Sequence, residues 1–191
     1  MRRAITGFTL IELLVVISII GLLASTILAS VNLARQKGAF AQAVANGKAF
    51  KTAVEFYNDQ MGFFPPDTDR GWDPGFTRAL PWNPDTGATV IPACAWCPTG
   101  WDTIAAARWN GPYLASWPNV TPWNGKYDYN YWPSGSVRYG CTIPPGVYIG
   151  IQRDYDDLNP ISAQAEQMML DQRIDNDGCL NGEAQLILFR L

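Results

Sequence analysis

The sequence predicts an α+β protein: a long N-terminal helix, transmembrane and then amphipathic, packed against a C-terminal antiparallel sheet through a long irregular αβ loop. Three observations predict it. Residues 8–31 are apolar or small and hold one ionisable group, Glu12. Residues 40–61 carry apolar side chains at three- and four-residue steps. Beyond Gly111, short runs suited to strands are separated by Pro, Gly and Asn turns.

The span comes first. Twenty-four residues from Phe8 to Val31, at about 1.5 Å per residue, make a helix of roughly 36 Å, enough to cross a bilayer's hydrocarbon core. Arg2 and Arg3 precede it, so the N-terminus is expected to stay cytoplasmic while the remainder is exported. A signal peptide would be shorter, with a small-residue cleavage site after its apolar run. Glu12 is the anomaly, because a carboxylate in such a span costs about 2.5–3.5 kcal/mol. Phe8, Thr9, Val15 and Val16 occupy the positions one turn away, so no cation lies within reach and the partner is expected from elsewhere. A cut after Gly7 would give Phe8 a free ammonium four residues before Glu12. That amine can meet the carboxylate of a neighbouring chain and fix the axial register.

The string Gly7-Phe8-Thr9-Leu10-Ile11-Glu12, followed by LLVVISIIGLLAS, resembles the N-terminus of the type IV pilin and type II secretion pseudopilin superfamily. The resemblance covers about 25 residues. It implies a type IV pilin-like fold, removal of the leader after Gly7 by a prepilin peptidase, N-methylation of Phe8, and a role for Glu12 in filament assembly. The implied partners are further copies or other pilins and pseudopilins, the peptidase, an inner-membrane assembly platform and membrane lipid. The implied location is the inner membrane as a single-pass protein, with the head in the periplasm or at the cell surface, and then a filament.

The expected division is a leader at 1–7, a transmembrane half-helix at 8–31, an amphipathic half at 32–61 and an exported head at 62–191. The head divides into a Trp-rich loop region at 62–111 and a sheet region at 112–191. One continuous helix from Phe8 to Asp59, roughly 75–80 Å long, is expected, with Phe40, Ala43, Val44, Gly47, Phe50, Val54, Tyr57 and Met61 on one face. Gly62 and Pro65-Pro66 end it.

Residues 63–191 hold eight Lys and Arg against fourteen Asp and Glu, a net charge of −6. That balance disfavours nucleic acid, which needs a basic face. The chain has no histidine, which removes Ser-His-Asp, Cys-His and His-ligated metal chemistry. A structural protein, not an enzyme, is the reading. All eight tryptophans lie between Trp72 and Trp132. They are read as buried area for an irregular segment. The alternative is a membrane-anchored module whose Trp-rich head binds a glycan or surface.

Gly111-Pro112-Tyr113-Leu114 and Pro122-Trp123-Asn124-Gly125-Lys126-Tyr127-Asp128-Tyr129 resemble a segment of the major pseudopilin branch. Thr121 and Asn124-Gly125 depart from it. Thr103–Trp109 reads as a short helix. Lys126–Tyr131, Val137–Ile143, Val147–Gln152 and Ala184–Arg190 read as strands. Pro160–Ile174 reads as a helix capped by Ser162.

No cofactor is required. Asp175-Asn176-Asp177-Gly178 has the oxygen density of a calcium loop, with Asp175 and Asp177 as ligands; the pseudopilin resemblance implies calcium in a C-terminal loop, although this chain lacks that loop's pattern. The loop fails EF-hand spacing, and an Asx-type turn is the other reading. Cys94, Cys97, Cys141 and Cys179 are expected in disulfides in an exported head. Cys94–Cys97 and Cys141–Cys179 are the preferred pairs among three connectivities. A four-thiolate zinc site and a redox CxxC are the alternatives.

Overall fold

The computed structural model describes residues 8–67, 71–77, 96–118, 120–152 and 161–191. The chain forms two compact units, Met1–Gly38 and Ala39–Leu191. Helix α1 (Leu10–Met61) contributes to both. It starts two residues after Phe8 because Thr9 is its N-cap, and it ends at Gly62, whose φ of 81° suits a residue without Cβ.

In the second unit, α1 buries Ala43, Gly47, Phe50, Ala53, Val54, Tyr57 and Met61. The expected stripe is therefore a packing face. Gly47 has a specific reason to be there: a Cβ at this position would stand 2.9 Å from a terminal methyl of Leu186. The glycine costs helix propensity and admits a strand close to the helix axis.

Helix α2 (Trp101–Arg108) lies inside the Trp-rich region, starting two residues before the expected Thr103. Strands β1 (Lys126–Trp132), β4 (Gly146–Gln152) and β5 (Ala184–Arg190) form an antiparallel sheet in the order β1-β4-β5. Tyr127 faces Ile151, Tyr129 faces Ile149 and Tyr131 faces Val147, so one face of the sheet is aromatic on β1 and aliphatic on β4. Across β5, Ala184 and Leu186 pair with Ile151 and Ile149. The register then slips between Val147 and Tyr148, leaving Leu188 as the extra residue of a bulge. That slip sets Phe189 opposite Val147, so it packs against the core alongside the buried Leu186 and Leu188. The opposite face is buried too and carries Asp128, Asn130, Tyr148 and Gln185.

Two expected elements need correction. The single strand Val137–Ile143 is a hairpin, β2 (Ser136–Arg138) paired with β3 (Cys141–Ile143) in a separate two-stranded sheet. Tyr139 and Gly140 form its two-residue loop with φ values of 47° and 83°, the positive pair that such a hairpin demands. The helix expected over Pro160–Ile174 is α3 (Ala163–Asp171). Ser162 caps it by accepting from the Ala165 N–H at 3.3 Å. It stops early because Arg173 turns left-handed, φ 57°. Pro160 lies outside the described residues.

The core centres on Tyr57, whose ring meets Phe63, Phe76, Trp109 and Tyr113 in edge-on contacts. Phe50 packs on Trp117 and Tyr127. Asp73, fully buried, organises the described part of the loop. Its Oδ1 accepts from the N–H groups of Gly75 and Phe76, and its Oδ2 from the N–H and Oγ1 of Thr77. Phe76 O in turn accepts from the N–H groups of Tyr113 and Leu114.

Candidate functional site: the N-terminal helix and the acidic C-terminal loop

Every side chain of α1 from Leu10 to Ala34 is exposed, including every Leu, Ile and Val of that stretch. The helix is long and apolar enough to cross a membrane. Its hydroxyls do not interrupt that surface. Ser18 donates to Leu14 O and Val15 O, Ser25 to Leu22 O, Thr26 to Leu23 O and Ser30 to Ile27 O, at 2.7–2.9 Å. Each polar hydrogen is satisfied within its own helix, as an apolar surrounding requires.

Glu12 has partners inside its own helix. Its Oε2 accepts from the Thr9 N–H and from Thr9 Oγ1, both at 2.8 Å, while the Glu12 N–H donates to Thr9 Oγ1 at 3.2 Å. Thr9 O accepts from the Leu13 N–H. This is a capping box, with threonine at the N-cap and glutamate three residues on. Within the chain the carboxylate thus has a neutral partner one turn away, which a search for cations alone passes over. A carboxylate in the first turn also sits at the positive end of the helix dipole. Phe8, immediately before, is exposed. Gly7 lies outside the described residues.

Residues 2–28 match the prokaryotic N-terminal methylation motif. No curated protein and no solved structure matches the chain significantly. The methylation motif supports the type IV pilin or pseudopilin class, and it implies a structural subunit rather than an enzyme. With the apolar helix, it points to a membrane-anchored chain. The fold agrees with a pilin-like one: a long N-terminal apolar helix followed by a small antiparallel sheet.

The second cluster named from the sequence lies between α3 and β5. Asp175 forms a bridge to Leu186, and Asn176 N–H donates to Gln185 O at 3.1 Å. The Asp175 Oδ1 accepts from the Gln185 N–H at 2.9 Å and the Asp177 N–H at 3.3 Å. The Asp177 Oδ1 accepts from the Cys179 N–H at 2.9 Å. These are Asx turns that cover the outer edge of β5 and keep it from pairing further. Among the described residues no three acidic or cysteine side chains converge as ligands. Backbone donors engage the Oδ1 atoms of both aspartates, which is the Asx-turn arrangement, and no step is assigned to a calcium ion.

Glu166 of α3 completes the loop's anchorage. Its carboxylate accepts from Asn181 N–H at 2.8 Å and Gly182 N–H at 3.1 Å. Burial raises the Glu166 carboxyl above its usual range, opposed by these backbone donors. Burial also pushes Asp175 up, to about 7, with Asp177 adding to the rise. Its Oδ2 is buried with no hydrogen-bond partner among the described residues, which leaves the desolvation of that atom uncompensated. Asp177 is raised as well, again mainly by burial.

Cys141 and Cys179 are joined by a disulfide across 38 residues, fastening the hairpin to this loop. Cys97 is also disulfide-bonded, and Cys94 lies outside the described residues. Oxidised sulfurs supply neither the thiolates of a zinc site nor a free dithiol. Among the tryptophans, Trp109, Trp117 and Trp123 pack into or against the core, whereas Trp72 and Trp96 are exposed.

Proposed function

We propose that the chain is a structural subunit of a helical filament of the type IV pilus or type II secretion pseudopilus kind. On this reading it is inserted with its N-terminus in the cytoplasm, cut between Gly7 and Phe8, methylated on Phe8, and drawn into a filament whose core is the packed apolar helices. Its partners are other copies or other pilin-like chains, the prepilin peptidase and an inner-membrane platform. The observation that carries this is the methylation motif at residues 2–28, whose helix exposes its whole apolar surface and holds one acid in its first turn. The Phe8 amine of a neighbour would replace or join Thr9 on Glu12 and convert a neutral cap into an ion pair. The Gly111-Pro112-Tyr113 and Tyr127-Asp128-Tyr129 segments favour the major pseudopilin-like branch. Packing of Trp109, Trp117 and Trp123 against the core supports a structural use of the aromatics over glycan recognition.

Glu12→Ala is the test. The variant should be cleaved after Gly7 as efficiently as the wild type, read by N-terminal mass, yet fail to enter filaments. Normal incorporation would sink the proposal.

A further inference from the structure

We propose that the exposed side of α1 between Val44 and Asp59 carries both halves of a contact between copies of this chain: a cation-rimmed apolar groove and, two turns further on, an acidic ridge led by Phe56. The proposal rests on the filament reading and names the surface through which neighbouring heads meet.

The groove, about 210 Å³, lies between α1 and β5, with Val44, Ile174, Leu186 and Leu188 as its apolar lining. Lys48, Lys51 and Arg173, all exposed, line it as well. It is smaller than the ~300 Å³ at which small-molecule pockets begin, so it suits a protruding side chain better than a free ligand. Three cations and a greasy floor call for an aromatic or aliphatic group flanked by carboxylates.

Such a group stands on the same helix. Phe56 is 54% exposed although its neighbours Val54 and Tyr57 are fully buried. Glu55 and Asp59 flank it, and the three line one shallow depression with Asn58 and Phe189. Glu55 follows Lys48 by seven residues and Asp59 by eleven, so both return to the Lys48 stripe. Sliding one copy along its own helix by two turns, about 11 Å, therefore sets Glu55 of that copy level with Lys48 of the next. Inside one chain Lys51 and Glu55 make only an exposed contact at 4.0 Å, which holds neither side chain firmly.

The occupant is a second copy because this chain supplies the complementary charge at matching spacing and, about 80° further round the same helix, a protruding ring. Copies inserted in one membrane point the same way, so groove meets ridge in one direction only. Such a heterologous contact does not close on itself, and it builds open arrays.

A charge-swap experiment on the full chain, in cells that process and assemble it, tests this. A photo-crosslinker replaces Phe56 and reports contact between copies. In the otherwise unaltered chain, adducts should form a ladder beyond the dimer and map to residues 44–51 or 173–188 of a second copy. Lys48→Glu/Lys51→Glu alone and Glu55→Lys/Asp59→Lys alone should each lower that ladder by about tenfold or more, since like charges then face each other. Co-production of the two variants should restore it, because each groove then meets an opposite ridge. A purely intramolecular role for the Lys51–Glu55 pair predicts no such restoration. Ladders that persist in either variant alone, adducts that stop at the dimer, or adducts to a different protein would overturn the contact and leave the filament reading standing. A wild-type chain that yields only monomers, with no filaments, would overturn both.

Discussion

Residues 10–38 and 39–61 belong to one helix, yet the two stretches make opposite use of their apolar side chains. In the first, leucine, isoleucine and valine surround the axis and none is buried by the rest of the chain. In the second, Phe50, Val54, Tyr57 and Met61 form one stripe, and each is at most 2% exposed. Uniform apolarity marks a helix whose solvent is itself apolar, and a stripe marks a helix whose partner is its own chain. The difference lies in pattern more than in residue type, and pattern is what a sequence displays.

Substitutions should expose this contrast most sharply at Tyr57. Tyr57→Ala removes a ring packed against four aromatic neighbours and should cost the head about 3–5 kcal/mol. Leu14→Ala, in the uniform half, should leave the head's melting temperature in detergent unchanged. Equal losses from the two would erase the distinction. The next effect belongs to Cys141–Cys179. Cys141→Ser should lower head stability by about 2–4 kcal/mol, and reductant should reproduce the loss in the wild type but add little in the variant.

A pH titration sharpens the comparison further, because the head alone contains buried carboxyls. Asp175, Asp177 and Glu166 are all raised in the folded state, Asp175 to about 7 from 3.8. The folded head therefore holds more protons than the unfolded chain between about pH 4 and 7. Their contribution is fully present below the unfolded values and is lost as pH rises through the folded ones. The head should melt higher at pH 5 than at pH 8, and Asp175→Asn should flatten that slope. Gly47→Ala should have the smallest effect, within about 1 kcal/mol, because gained helix propensity offsets the shift it forces on a flexible end of Leu186. A loss as large as that of Tyr57→Ala would mean that the close approach of β5 is rigid.

Much of the architecture could be read before any coordinates. The stop at Gly62, the Ser162 cap and the bounds of β5 follow from local rules that tertiary contacts did not override. The hairpin at Tyr139-Gly140 was hidden because tyrosine seldom takes a positive φ, so Val137–Ile143 read as one alternating strand. The β5 bulge at Leu188 depends on register against β4, which no local pattern encodes. Asp73 looked like one polar residue in a Pro- and Gly-rich loop, and its four donors are all supplied by Gly75, Phe76 and Thr77. The spacing Asp73-Pro74-Gly75 was its available signal. At the candidate site, Thr9-x-x-Glu12 carries the signature of a capping box, and the hydroxyl and amide of Thr9 are partners that a reading confined to Lys, Arg and His does not include. Asp175 and Asp177 were legible as a polar turn, and their use on a strand edge was not.

The self-bonded hydroxyls of Ser18, Ser25, Thr26 and Ser30 have a consequence for transit. A segment whose every O–H already has an acceptor in the preceding turn can leave a lipid environment for one walled by other helices with no polar bond broken on the way. Those four hydroxyls would then add no polar cost to extraction or return, which leaves Glu12 and side-chain packing to govern both.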